Sequence, residues 1–243
     1  GKGNTDLISG YTSSSIGISE QVTLNVGVNA QVLTLNNSWT LEPRAGIKWQ
    51  FSPKSSFALA YGLHSRMEKM DVYFVKTQGT GDHSVNKDLG FTRAHHVMLS
   101  YGFKVSDNMN MKIEPYFQQL YDVPVISDSS YSVLNRRDFY VENALVNRGK
   151  GRNIGVDITL ERYLNKGLYY MVTASIFDSK YYGGDRKWRN TLYNRNFIVN
   201  VLGGKEWMVG RDRQNMFSVN FKITLQGGDR YAPVDEVATL LDP

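Results

Sequence analysis

The sequence predicts an all-β protein: an antiparallel up-and-down transmembrane β-barrel wall of about ten long strands. Three observations predict it. First, WTLEPRAGIKWQF, from Trp39 to Phe51, alternates without a slip: Trp39, Leu41, Pro43, Ala45, Ile47, Trp49 and Phe51 on one face, Thr40, Glu42, Arg44, Gly46, Lys48 and Gln50 on the other. Successive side chains of a strand point to opposite faces, so this is one ribbon with an oily side and a charged side. At ~3.3 Å per residue it is roughly 40 Å long, more than a soluble strand needs and enough to cross a bilayer at a tilt. Second, connections between such ribbons fall into a short class and a long class. Third, aromatic residues gather at the short turns.

The elements follow in order. Leu7 to Ile18 reads as a first strand, despite its serines, and Gln21 to Leu35 as a second, with Val22, Leu24, Val26, Val28, Ala30 and Val32 in phase. Asn36-Asn37-Ser38 turns into the ribbon already described, and Ser52-Pro53-Lys54-Ser55 out of it, proline's fixed φ suiting a turn. Phe57, Leu59, Tyr61 and Leu63 mark a fourth strand; Arg66 to Gly90 then reads as a long polar loop without a period. Phe91 to Val105 is strand-like, Ser106-Asp107-Asn108 a turn, and Met109, Met111, Ile113, Pro115 and Phe117 alternate with Asn110, Lys112 and Glu114. A polar excursion is expected from about Asp122 to Lys150, then a ribbon from Arg152 to Tyr163, the hairpin Asn165-Lys166-Gly167, and a return from Leu168 to Ser179. After a connection over Lys180 to Asn194, Phe197 to Trp207 and Phe217 to Leu225 complete ten strands, and Gly227 to Pro243 reads as irregular.

Short turns near residues 19, 53, 107, 166 and 212 and long connections from 66, 122, 180 and 227 alternate, as on the two rims of an outer-membrane barrel; the turn at Asn36 breaks the rule. Alternation alone leaves open which face looks inward. The aromatics decide. Trp49, Phe51 and Phe57, then Tyr101 and Phe103, then Tyr163, Tyr169 and Tyr170, then Trp207 and Phe217 sit at one common height, as a headgroup interface favours. The oily face is therefore expected to meet lipid and the ionic face a wet lumen.

Composition bounds the reading. No run of about eighteen apolar residues exists, so no transmembrane helix is expected. Mean hydropathy is −0.38, an average that conceals a barrel because every second residue faces water. Net charge is +5, but the 28 Lys and Arg are scattered among 23 Asp and Glu, so there is no basic block to hold nucleic acid. The chain has no Cys, which a closed sheet does not need. GKGNTDLISG lacks the apolar core of a signal peptide.

Three stretches carry a resemblance: LEPRAGIKWQFSPKSSFALAYGLHSRM (Leu41 to Met67), Asn147 to Tyr181, and Tyr193 to Asp235 with its GGDRYAPVD. They resemble the later barrel strands of TonB-dependent outer-membrane receptors of the Bacteroidota kind. The resemblance implies a larger 22-stranded barrel in a Gram-negative outer membrane, closed by an amino-terminal plug and energised through TonB, that imports a small-molecule, glycan or peptide nutrient. It further implies that residues 1–243 are a single barrel segment, without the plug or the final strands, whose partners are membrane lipid, the rest of the receptor including its plug, and TonB.

No catalytic, cofactor or metal set stands out in the pattern. His95 and His96 are adjacent in a strand and face opposite sides; His64 and His96 share the polar phase and can approach each other near the mouth, as ligand contacts or as plain lumenal polar residues. Tyr73, Tyr131 and Tyr140, with Tyr181 and Tyr182, lie on the long loops, where a ring can grip a sugar or peptide. Glycine pairs such as Gly203-Gly204 lack a following helix and read as loops and close packing rather than phosphate cradles. The rival readings are a soluble β-barrel or β-sandwich binding module and a small outer-membrane barrel enzyme or adhesin.

Overall fold

The computed structural model describes residues 5–77, 83–136 and 141–230. Antiparallel strands follow the chain order: β1 (Leu7–Gly17), β2 (Val22–Leu33), β3 (Ser38–Ser52), β4 (Ser55–Arg66), β5 (Thr92–Ser106), β6 (Met109–Val125), β7 (Val146–Asn165), β8 (Leu168–Tyr182), β9 (Trp188–Asn190), β10 (Phe197–Val209) and β11 (Asn215–Gln226). The path runs from β1 to β8, then β10 and β11, with β9 paired to β8 off the path; β1 and β11 are its open edges. Ten strands were expected where they stand. The eleventh, β9, is three residues long and folds back on the top of β8 through Lys180–Asn190, Tyr181–Arg189 and Tyr182–Trp188. A segment that short carries no readable period.

Short turns reverse the chain at one rim. Between β7 and β8, Lys166 (φ 50°) and Gly167 (φ 75°) both adopt positive φ, the conformation of a two-residue hairpin whose twist matches its strands.

The long connections differ from expectation. The segment 66–90 is not a bare polar loop: it contains α1 (Met70–Tyr73), and Val72, Tyr73, Val75 and Leu89 are buried with Leu33, Phe91, Val141 and Leu145 in one apolar cluster. Two loops thus bury each other, a contact between residues some seventy apart that no local window shows. The excursion placed at Asp122 to Lys150 is likewise shorter, since β6 runs on to a buried Val123 and Val125, and β7 begins at Val146. The exceptional turn at Asn36 belongs to this rim: its side-chain amide donates to the carbonyls of Lys87 (3.0 Å) and Leu89 (2.8 Å).

No comparable core lies under the sheet among the described residues. Leu41, Ile47, Val219 and Phe221 are exposed at 51, 39, 48 and 51%, while Glu42 of the opposite face is 1% exposed. A soluble sandwich would bury the first set and solvate the second. The lipid band can be read from β7. Its outward column runs Arg162, Leu160, Ile158, Val156, Ile154, Arg152, so an apolar stretch is bounded by a guanidinium at each end. From Arg152 to Arg162 the contour is roughly 33 Å, which at a ~40° tilt is about 25 Å of height, the thickness of a barrel's apolar belt.

The aromatic layer at the short-turn rim is present in part: Trp49 and Phe51 (ring centroids 5.4 Å apart), Phe51 and Tyr101 (6.3 Å), Tyr101 and Phe103 (5.6 Å), and Trp207 and Phe217 (5.7 Å), whereas Tyr163 and Tyr169, expected in it, fall in the inward phase of their strands, Tyr163 beside Lys48 and Glu161 and Tyr169 donating to Asn220 Oδ1 at 2.8 Å. A second layer borders the other side of the band. There the Tyr61 hydroxyl meets His95 Nδ1 at 2.9 Å and Tyr121 stacks on the His95 ring at 5.2 Å. These rings are scattered in sequence, so only the strand register brings them to one height.

Candidate functional site: the lumenal wall and its mouth

One row on the polar face crosses eight strands in continuous register: Ser13, Gly27, Arg44, Gly62, His96, Gln118, Asn153 and Ser179. Every member is polar or glycine, because each occupies the inward phase of its own strand. Part of the row is a hydrogen-bond ladder. Asn153 Nδ2 donates to Gln118 Oε1 at 2.7 Å, Ser179 Oγ to Asn153 Oδ1 at 2.7 Å, and Thr191 Oγ1 to Ser179 Oγ at 3.0 Å.

Two residues expected to meet do so. The His64 and His96 rings stand 6.3 Å apart at 60°, with Tyr116 edge-on to His96 at 6.3 Å. Gly62 makes the space: a Cβ there would lie 2.7 Å from His64 Nε2. With Arg44 they line a trough of about 490 Å³, floored by Gly27, Gly46 and Ala60. Chemically it offers a permanent cation and two imidazoles to a polar or anionic guest. Among the described residues, no third His, Cys, Asp or Glu joins them to make a metal-holding group.

Glu42 is the residue whose role the sequence left unread. Its carboxylate accepts from Asn29 Nδ2 (3.1 Å), Gln31 Nε2 (2.6 Å), the Ser65 amide (3.0 Å) and Arg44 NH2 (3.1 Å). It thus ties β2, β3 and β4 together and points the Arg44 guanidinium along the wall. The only sequence signal was a Glu in the inward phase beside an Arg two residues on. Nearer the short turns a second trough of about 470 Å³ gathers Lys48, Lys54, Lys104 and Lys112 with Glu161; Lys112 pairs with Glu114 at 2.8 Å.

Glycines let rings lie flat on this wall. At Gly155 a Cβ would stand 2.7 Å from the Tyr116 hydroxyl and 2.8 Å from the Ile176 carbonyl oxygen. Gly155→Val is expected to lower barrel stability by about 1–3 kcal/mol through overpacking, whereas Gly10→Ala, with nothing within 4 Å of its Cβ, shifts it little. Urea titration of the refolded receptor reads both; equal midpoints would refute the close-packing account.

At the mouth, the tyrosines part company. Tyr73 does not reach the rim, which corrects the expectation for it. It is 0% exposed inside the loop cluster, its hydroxyl accepts the Glu68 amide at 3.2 Å, and burial raises its pKa above the usual phenol range. The reason is the docking of the two loops, which no local pattern reveals. Tyr131 is half-buried against the same cluster, and Tyr140 lies outside the described residues. Tyr181 is buried (5% exposed), while Tyr182 packs on Trp188 with ring centroids 5.4 Å apart. Asn86 locks the loops to each other: its Nδ2 donates to the Asn143 carbonyl at 3.0 Å and its Oδ1 accepts the Leu145 amide at 2.7 Å.

Solved structures share this architecture. The sheet superposes on the ferric-catecholate import receptor Fiu of E. coli K12 with a TM-score of 0.63 at 11% identity, covering 85% of this chain and 32% of that one. It matches the FrpB iron transporter of Neisseria meningitidis (0.61, 14% identity, 90% and 33%) and the alcaligin outer-membrane receptor FauA of Bordetella pertussis (0.60, 13% identity, 92% and 37%). All three are TonB-dependent outer-membrane receptors, and the chain spans about a third of their length. No protein-family model and no curated protein matches the sequence.

Proposed function

We propose, from the premise that this chain has the fold of a wall segment of a TonB-dependent outer-membrane receptor, that it is the barrel portion of a transporter that imports a nutrient through a plugged lumen. The observation that carries this reading is the sorting of the two faces: apolar side chains outward over about 25 Å of height, and a row of polar residues and glycines inward across eight strands, its side chains hydrogen-bonded from Gln118 through Asn153 to Ser179. An inward wall of amides, hydroxyls, Arg44 and lysines suits a polar plug that must slide or rearrange, because hydrogen bonds to such groups exchange readily with water. The trough of Arg44, His64 and His96 is where cargo or plug would touch this segment, and Tyr131 is the loop ring closest in kind to a cargo contact. The guest is a small molecule, glycan or peptide. The cited structures are named for iron and siderophore import, which favours an iron chelate as the first cargo to try.

The test is uptake. A strain lacking the full receptor should fail to accumulate one member of a panel of radiolabelled ferric chelates, oligosaccharides and peptides, and TonB depletion should reproduce the failure in the parent strain. Unchanged uptake across the panel in both strains would sink the reading. Within that assay, Arg44→Ala with His64→Ala is expected to lower uptake of the affected solute at sub-saturating concentration by roughly thirtyfold, about 1 kcal/mol for each of the two lost contacts, with the receptor still present in the membrane.

A further inference from the structure

We propose that the connections at the long-loop rim of this segment form one cooperative block, so that a disturbance at any one of them is transmitted to all. The block runs from the β2–β3 turn through the β4–β5 and β6–β7 connections to the connection between β8 and β10. The proposal rests on contacts within the fold and holds whatever the guest is. Loops of this length with little regular structure ordinarily move independently of one another. Here they are joined twice over, by asparagine side chains and by a shared apolar core.

An asparagine amide carries an acceptor and two donors on a short uncharged side chain, so it can pair with the backbone of a foreign loop. Asn36 ties the β2–β3 turn to the β4–β5 connection at the carbonyls of Lys87 and Leu89. Asn86 ties that connection to the β6–β7 one, through the Asn143 carbonyl and the Leu145 amide. Asn147 adds a second tie between the same elements: its Oδ1 accepts the Gly90 amide at 2.9 Å and its Nδ2 donates to the Asp122 carbonyl at 2.7 Å. Asn135 reaches the last connection, where its Oδ1 accepts the Leu192 amide at 2.7 Å. Asn194 anchors that connection to β8, accepting the Ser179 amide at 3.1 Å and donating to Asp178 Oδ1 at 3.0 Å. Asn86 and Asn194 are each 1% exposed, so breaking one of these ties strands buried polar groups.

Packing links the same elements. Val72, Tyr73 and Leu89 share a core with Val141 and Leu145 of the next connection and with Leu33 of β2. None of them leaves without exposing the others to water. Ile126 and Val133 pack against that core, and the backbone at Ile126 is where the last connection lands. A Cβ on Gly184 would collide with the Ile126 carbonyl, and the Asp185 amide donates to the Ser129 carbonyl at 3.0 Å. Core, asparagine ties and this close approach make a contiguous unit of the kind that opens all at once.

Hydrogen exchange of the full receptor in phosphatidylcholine nanodiscs, followed by mass spectrometry, tests the coupling. Asn86→Ala removes hydrogen bonds to Asn143 and Leu145, neither of which is in the last connection. It should nevertheless quicken exchange at the Asp185 and Leu192 amides together with Leu145, by a common factor of roughly tenfold or more for two buried hydrogen bonds lost. The Leu99 amide, in the middle of β5, should keep its rate. Asn135→Ala is a milder change made from the other side: it breaks the bond to Leu192 and should quicken the Gly90 amide as well as Leu192, by roughly several-fold. Heat-modifiable gel mobility confirms that the barrel of each variant is folded. Quickening confined to the connection whose tie was cut, no quickening in either variant, or equal quickening at Leu99 would each overturn the proposal, the last because rim and barrel would then be one unit.

Discussion

Ile158→Arg is expected to destabilise the refolded barrel by about 2–4 kcal/mol, and Thr159→Arg, one residue along, by under about 1 kcal/mol. Ile158 lies close to the middle of the apolar column between Arg152 and Arg162, so its replacement puts a guanidinium near the bilayer midplane, too deep to reach either headgroup layer. Thr159 points the other way, opposite Lys112 on one side and Thr173 on the other, into water beside Glu161. Urea-dependent unfolding of the whole receptor in vesicles, followed by heat-modifiable mobility, separates the two. The absence of native Cys in this segment allows an independent check: a water-soluble thiol reagent should modify a cysteine at 159 after plug removal and spare one at 158. A reversed or equal pattern at the two positions would mean that the faces have been assigned wrongly.

Glu42→Ala is expected to cost about 2–3 kcal/mol, the largest effect for any lumenal residue considered, while Glu42→Gln costs about half as much. The carboxylate is buried and its acceptor capacity is taken up by four donors on β2, β3 and β4. The Arg44 side chain is 50% exposed, so water screens that pair and most of the loss comes from the amides of Asn29, Gln31 and Ser65. Removing the acceptor leaves those donors facing each other; glutamine restores one oxygen. Amide hydrogen exchange at Ser65 offers a local readout, which should quicken in the alanine variant. Unaltered unfolding together with unaltered Ser65 protection would show that Glu42 is a passenger on the wall.

Much of this architecture was legible in the chain itself. The ribbons over Trp39 to Phe51, Arg152 to Tyr163 and Phe217 to Leu225 stand where alternation placed them, because a period of two over ten or more residues admits only an extended chain. The short turns were legible because their chemistry is local: Lys166-Gly167 needs two positive φ angles and Ser52-Pro53 a fixed one. The approach of His64 to His96 was legible too, since both lie in the inward phase of adjacent strands. The loops were not. Val72, Tyr73 and Val75 have no regular spacing, and they are buried by Val141 and Leu145 from another connection. The same holds for β9, whose three residues gain strand geometry only by pairing with β8.

The sequence by itself determined the strands, their alternation and the division of the connections into two rims, because side-chain direction along an extended chain is a property of each strand alone. Tertiary structure alone decided what each height on the wall carries. Register across tilted strands assembled Tyr61, His95 and Tyr121 into one layer, set Arg152 against Lys180, and turned Glu42 from a lumenal charge into a buried tie with four donors. Apart from Arg44, those neighbours are more than ten residues apart in the chain, and only hydrogen-bonded pairing between strands fixes which residue of one stands beside which residue of the next.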